Sequence, residues 1–131
     1  MKIMNFGHEL SLEAVKSLQN LFPEHIIEIY RSNISLPFAE GESAIEKAII
    51  RAFDNIMRGI NQKNSILITD PTRVILPGNA TAAALVVAEY TGRFGFLPRI
   101  ITFSRRPTQE NWLPDFACDL QKFRTEARTR R

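Results

Sequence analysis

The run Val74-Ile-Leu-Pro-Gly-Asn-Ala-Thr-Ala-Ala-Ala-Leu-Val-Val-Ala88 leaves the chain few ways to fold. A short apolar stretch, Val74 to Leu76, stops at Pro77-Gly78-Asn79, and an alanine-rich helical run starts at once. This reads as a strand, a tight turn and the N-terminus of a buried helix. Backbone N–H groups in such a turn point outward without partners and favour an anion. The pattern therefore suggests a phosphate-bearing ligand at the carboxyl end of a sheet.

The flanking sequence repeats the same alternation. Lys2 to Phe6 reads as a first strand, apolar enough to be internal, and Gly7-His8 ends it. Ser11 is a plausible N-cap. Leu12, Val15, Leu18 and Leu21 are expected to give the next helix one apolar face, and Pro23 closes it. His25 to Tyr30 looks like a second strand, rich in β-branched residues. Ser43-Ala-Ile-Glu46 has the form of a capping box, and Ile45, Ile49, Phe53 and Ile56 mark a second amphipathic helix that fades near Gly59. Ser65 to Thr69 and Arg73 to Leu76 both read as short strands around the turn signal Asp70-Pro71-Thr72. Val74 to Leu76 is taken as the central strand. Helix three, from about Ala80 to Tyr90, is apolar nearly all round and is expected to be well buried, with Thr91-Gly92 and Gly95 ending it. Arg99 to Phe103 is another strand. Phe116 to Leu120 reads as a last strand, and Gln121 onward as a helix that frays into arginines.

The order β-α-β-α-β-α-β with a β-α appendix predicts an α/β fold: a Rossmann-like, mostly parallel sheet with helices on both faces. Its 131 residues suit one domain, residues 1–123, followed by a basic tail, 124–131. The single cysteine, Cys118, excludes an intrachain disulfide and a cysteine-based zinc site, and a reducing cytoplasm fits. The first six residues lack the apolar core and cleavage pattern of a signal peptide. No run approaches the ~20 apolar residues of a membrane span. The net charge of +3 is uneven: Arg93, Arg99, Arg105 and Arg106 share one segment, and Arg124, Arg128, Arg130 and Arg131 crowd the end. Such asymmetry points to an anionic partner or to a solvated basic surface.

In an open parallel sheet, ligands bind beyond the carboxyl ends of the strands, near the point where strand order reverses. That rule selects Asn5, Gly7 and His8 after strand one, and Arg31, Ser32 and Asn33 after strand two. It selects Pro77, Gly78, Asn79 and Thr81 after the central strand, and Ser104, Arg105 and Arg106 after the fourth. An anion on the third loop would take backbone N–H groups from Gly78 to Thr81, with Arg105 or Arg106 as a bidentate partner. Each residue also has a plain structural reading. Gly78-Asn79 reads equally as a turn plus an N-cap, Gly7 as a strand-end glycine, and Arg105-Arg106 as a solvated edge. His8 reads also as a residue bonded within its loop. His25 starts its strand and falls at the opposite end of the sheet. Trp112 and Phe116 read as core or dimer contact rather than as a base-stacking platform.

No complete catalytic signature is present. The nucleophile elbow, the lysine of a triphosphate-binding loop and the three spaced glycines of a dinucleotide fingerprint are all missing. Two distant histidines do not define a metal site, and no cofactor is expected. One chemistry needs few groups: RNA cleaves itself when its 2′-hydroxyl is held in line with the phosphate. His8 would serve there as acid or base, and an arginine would stabilise charge.

The opening Lys2-Ile-Met-Asn-Phe-Gly-His-Glu-Leu-Ser11 resembles the start of a small CRISPR-associated family, the fifteenth of the families labelled Csx. So does Leu76-Pro77-Gly78 before its alanine-rich helix, with Ala88-Glu-Tyr-Thr-Gly-Arg-Phe-Gly-Phe-Leu-Pro98 after it. These are stand-alone accessories of type III systems. The likeness spans most of the chain; the segment 64–73 and the polar Asn79 depart from the pattern. The resemblance implies a layout related to the CARF sensors and cyclic oligoadenylate, above all the four-membered ring, as ligand. A small protein that holds this messenger without an effector domain would act by sequestration. A symmetric ligand suits a homodimer or higher homo-oligomer. A ring nuclease acting on the same ligand is the alternative. A nucleic-acid-binding module using the Arg124–Arg131 tail is a third.

Overall fold

A computed structural model describes residues 1–62, 71–108 and 110–131. The described residues form a five-stranded, mostly parallel α/β sheet with four helices. The strands are β1 (Lys2–Asn5), β2 (Glu28–Arg31), β3 (Thr72–Ile75), β4 (Arg99–Ser104) and β5 (Leu113–Asp119). The helices are α1 (Leu12–Leu21), α2 (Glu42–Gln62), α3 (Ala80–Phe94) and α4 (Leu120–Arg128). Strand order is β2-β1-β3-β4-β5, all parallel except β5, which runs antiparallel on the edge beside β4. The central position of β3 agrees with the sequence reading. The stretch Ser65 to Thr69 lies outside the described residues.

Chain direction across the sheet explains where the helices sit. From β1 the chain moves outward to β2 by way of α1, then reverses over β1 to reach β3 and β4. Right-handed crossovers in opposite directions must use opposite faces. The core divides accordingly. On one face Met4, Phe6 and Val74 pack against α2 and α3 through Ile49, Phe53, Ile56, Ala82, Val86 and Tyr90. On the other, Ile3, Ile75 and Ile101 pack against Leu18 of α1 and neighbouring Phe22. Alternate residues of β1 and β3 thus feed two cores, so the apolar residues of both strands point both ways and β1 is buried along its length, Lys2 and Asn5 included.

Three expectations are corrected. First, α1 does not bury Leu12, Val15 and Leu21; Leu12 is 83% exposed, and Ala14 and Leu18 are the buried pair. Steps of three residues fall short of a full turn, so that series winds round the helix, whereas steps of four hold a face. Ile49, Phe53, Ile56 and Ile60 of α2 alternate steps of four and three, which average one turn, and are all buried, which carries α2 past Gly59 to Gln62. Second, Ser43 does not cap α2. The helix starts at Glu42, and the Ile45 N–H reaches the carbonyl of Gly41 at 3.3 Å. Gly41 adopts φ +90°, a conformation that glycine enters freely and other residues resist, so it ends the loop one step earlier. Third, α3 is buried on one stripe only, Ala82, Val86 and Tyr90, while Ala84 and Ala88 face solvent. Alanine favours a helix whether or not it is buried, so an alanine-rich run does not imply burial. α3 also runs through Thr91-Gly92 and ends at Gly95, which holds φ +79° and donates to the Thr91 carbonyl at 2.8 Å.

Ser11 and Asn79 cap α1 and α3 as their positions suggest. Asp119 caps α4, accepting from the Lys122 N–H at 3.0 Å, and pairs with Arg99 at 3.0 Å. The Lys122 bond first, and then Arg99, hold its carboxyl below the usual range. Because the folded value is depressed, the stabilisation is present above the unfolded pKa of about 3.9 and fades as pH falls through the folded value. Asp119→Ala should therefore cost about 1 kcal/mol at neutral pH. In urea melts the gap to wild type should close as the pH drops below about 4; a gap unchanged at low pH would contradict the assignment.

Candidate functional site at the strand carboxyl ends

The four parallel strands bring the sequence-selected loops to one edge of the sheet. β1 and β3 are the two neighbours from which the chain departs in opposite directions, so the switch point lies between their carboxyl ends. The Asn5 side chain is fully buried there. Its Oδ1 accepts from the Gly7 N–H at 2.8 Å and its Nδ2 donates to the His8 carbonyl at 2.9 Å. Both ends of the amide are spent on its own loop, so Asn5 shapes the turn rather than facing a ligand. The His8 side chain is left exposed at the tip.

Gly7 sits where the first and third loops meet. A Cβ built on it would lie 3.2 Å from the Leu76 carbonyl oxygen and 3.4 Å from both Asn5 Oδ1 and Ile75 Cγ2. The Phe6 N–H bonds to the Ile75 carbonyl at 3.0 Å and continues the pairing into the loop. On the other flank the Ser32 N–H bonds to the Asn5 carbonyl at 3.1 Å, and Ser32 is buried. Ser32 is thus a packing residue. Asn33 is exposed and accepts from the Arg31 guanidinium.

After β3, Leu76 and Pro77 are half-buried and Gly78 is open, with nothing within 4 Å of an added Cβ. Asn79 Oδ1 accepts from the Ala82 N–H at 3.0 Å, and its carbonyl takes the Ala83 N–H at 2.9 Å. The plain reading of Asn79 as a cap therefore holds. The amides of Ala80 and Thr81 keep no acceptor inside the helix and stand at its positive end. At the end of β4, Ser104 is still paired with Leu113 of β5, and Arg105 and Arg106 are exposed beyond it. The edge therefore gathers the exposed groups of His8, Arg31, Thr81, Arg105 and Arg106 around two loops in contact. Asn5, Gly7 and Ser32 hold the frame.

The other basic residues lie elsewhere. Arg124 and Arg128 stand on α4, so a boundary at residue 124 falls inside a helix, and the Arg130 guanidinium lies 5.8 Å from the Phe123 ring. The Leu120 N–H bonds to the Pro98 carbonyl, which ties α4 to the amino end of β4, opposite the loop edge. His25 precedes β2 and lies at that opposite end, as its position implied. Trp112 and Phe116 are 61% and 57% exposed, so neither belongs to the core of one chain.

Sequence reasoning missed an open cavity of about 820 Å³ at the amino end of β3 and β4, with Arg73, Tyr90, Phe96 and Arg99 in its wall. One sign was legible: Arg73 is a single cation heading an apolar central strand. Among the described residues no group of three or more metal-ligating side chains occurs, and no helix is long and apolar enough to cross a membrane. No family model, curated protein or solved structure matches this chain.

The contact at Gly7 has a measurable consequence. Gly7→Ala should cost about 1–3 kcal/mol by wedging the two loops apart. Gly78→Ala, which meets open space, should be near neutral. Urea denaturation of both variants checks the contrast, and equal effects would mean that the loops do not pack as described.

Proposed function

We propose that this protein binds cyclic oligoadenylate, most simply the four-membered ring, at the strand carboxyl ends and sequesters it. On this reading the sheet is a Rossmann-like domain of the CARF kind, and the protein damps type III CRISPR signalling by lowering the free messenger concentration. The observation that carries the proposal is the close approach of Gly7 to the Leu76 carbonyl at the switch point. That contact joins the first and third loops into one surface, beside the open amides of Ala80 and Thr81 and the exposed Arg31 and Arg105. A phosphodiester ring asks for this combination of backbone donors and guanidinium groups. The sequence likeness supplies the identity of the ring. Two copies of the edge, related by a two-fold axis, would match a symmetric ligand, so the working form is a homodimer or a higher homo-oligomer.

The exposed His8 imidazole at the tip of the first loop favours one second reading, a metal-independent ring nuclease that holds the 2′-hydroxyl in line with its phosphate. Incubation with radiolabelled cyclic tetra-adenylate, followed by native and denaturing gels, separates the two. The expected result is a shifted band with intact ligand after long incubation. Arg105→Gln should weaken binding about tenfold or more, and His8→Ala should weaken it less. Linear product that disappears in His8→Ala would instead establish the nuclease. No shift at all would remove both readings.

A further inference from the structure

We infer that the cavity at the amino end of β3 and β4 is a second ligand site, for a small phosphate-bearing aromatic compound of the size of a nucleoside monophosphate. It lies at the opposite end of the strands from the loop edge and does not rest on the cyclic oligoadenylate reading. Two polar groups in its wall have no hydrogen-bond partner among the described residues, and one of them, Arg73 Nε, is also buried. Tyr90 is only 3% exposed, and its ring is fixed against Phe94 and Phe96 at centroid distances of 4.6 and 5.8 Å. Its hydroxyl makes no hydrogen bond to a described residue. Arg73 Nε is buried and likewise has no partner.

The charges around the cavity are otherwise matched. Arg93 is held by Glu89 at 2.6 Å and Asp54 at 3.0 Å, Arg99 by Asp119 through Nε, and Lys122 by Glu126 at 4.0 Å. Arg73 has no carboxylate partner among the described residues. It donates to the Thr72 carbonyl at 3.2 Å and lies 5.8 Å from the Phe22 ring. Burial first, and then the charge of Arg99, disfavour its cationic form, and an arriving anion would offset the repulsion between the two guanidinium groups. Arg99 keeps its outer guanidinium nitrogens available. An oxyanion with several acceptor oxygens, bound in this cavity, would have Arg73, Arg99 and Tyr90 in the surrounding wall. Phe96, 53% exposed in the cavity wall, offers a face for a planar ring.

Isothermal titration of the full chain with adenosine 5′-monophosphate, adenosine and inorganic phosphate tests this. The monophosphate should bind, with each fragment at least about tenfold weaker. Tyr90→Phe keeps the ring contacts and removes only the hydroxyl; it should lower affinity about tenfold without changing the melting temperature. Arg73→Met removes the charge at similar volume and should lower affinity by at least as much, while leaving the fold as stable or more so. Arg105→Gln, at the other end of the sheet, should bind the monophosphate as wild type does. No binding at millimolar concentration would overturn the assignment. So would equal affinity in wild type, Tyr90→Phe and Arg73→Met, and phosphate binding as tightly as the monophosphate would overturn the aromatic part.

Discussion

The buried carboxamide of Asn5 is the interaction on which the loop edge depends. A fully buried amide has to satisfy both its donor and its acceptor. Asn5 does so within three residues of itself, on the Gly7 N–H and the His8 carbonyl. That choice turns the chain sharply out of β1 and brings Gly7 down onto the carbonyl of Leu76. The third loop can then lie against the first, and the helix that follows it starts at the switch point. With any side chain larger than hydrogen at Gly7 its neighbours, the Leu76 carbonyl first, would have to give way. Asn5 and Gly7 therefore operate as a pair, one bending the backbone and the other leaving room for the bend.

The direction of the strands gives the two ends of this sheet different chemistry. At the carboxyl ends the backbone leaves in loops, helix α3 begins, and amide N–H groups face outward. At the amino ends helix α3 finishes and α4 starts beside β4 with Asp119 on its first amides, so strand-borne and helix-borne side chains line the surface. The cations follow the same division. Arg31, Arg105 and Arg106 are carried on loops and are exposed. Arg73 and Arg99 head their strands and are held by the sheet itself. Groups fixed by paired strands lose less freedom when a ligand arrives, which favours selective contacts, whereas loop arginines suit recruitment of an extended anion.

Much of the architecture was legible because local pattern and global fold agreed. Val74 to Leu76 read as the central strand, and Val74 and Ile75 lie in it; Asn79 read as a cap or a ligand contact, and it is the cap. The series in α1 misled because leucines three apart look periodic while winding round the helix. The alanines of α3 misled in another way, since hydrophobicity scales count alanine as apolar although it has little surface to bury. The strand-end loops could be selected from topology alone, yet their division of labour could not. Nothing in the letters distinguishes Asn5, which spends its amide on its own backbone, from Asn33, which stays exposed and takes the Arg31 guanidinium. That difference is set by the burial of β1 between two neighbours.

The cavity at the other end escaped for a related reason. Its residues, from Pro71 to Glu126, come together only when β5 runs antiparallel and delivers α4 to the amino end of β4. A reading that treats the last strand and helix as an appendix has no reason to connect Tyr90 with Arg73. Yet a guanidinium at the head of a central strand is costly wherever it lands. It must snorkel to water, find a carboxylate or wait for an anion. Arg93, Arg99 and Lys122 took the second course, each with an acid close in space. Arg73 has the Phe22 ring on one side and a carbonyl on the other, and neither carries a full negative charge. Among the described residues the carboxylate that acts on it, Asp119, is already engaged by Arg99 and the start of α4. A buried guanidinium nitrogen with no partner among the described residues, in the same wall as the Tyr90 hydroxyl, is what distinguishes this cavity from a surface dent.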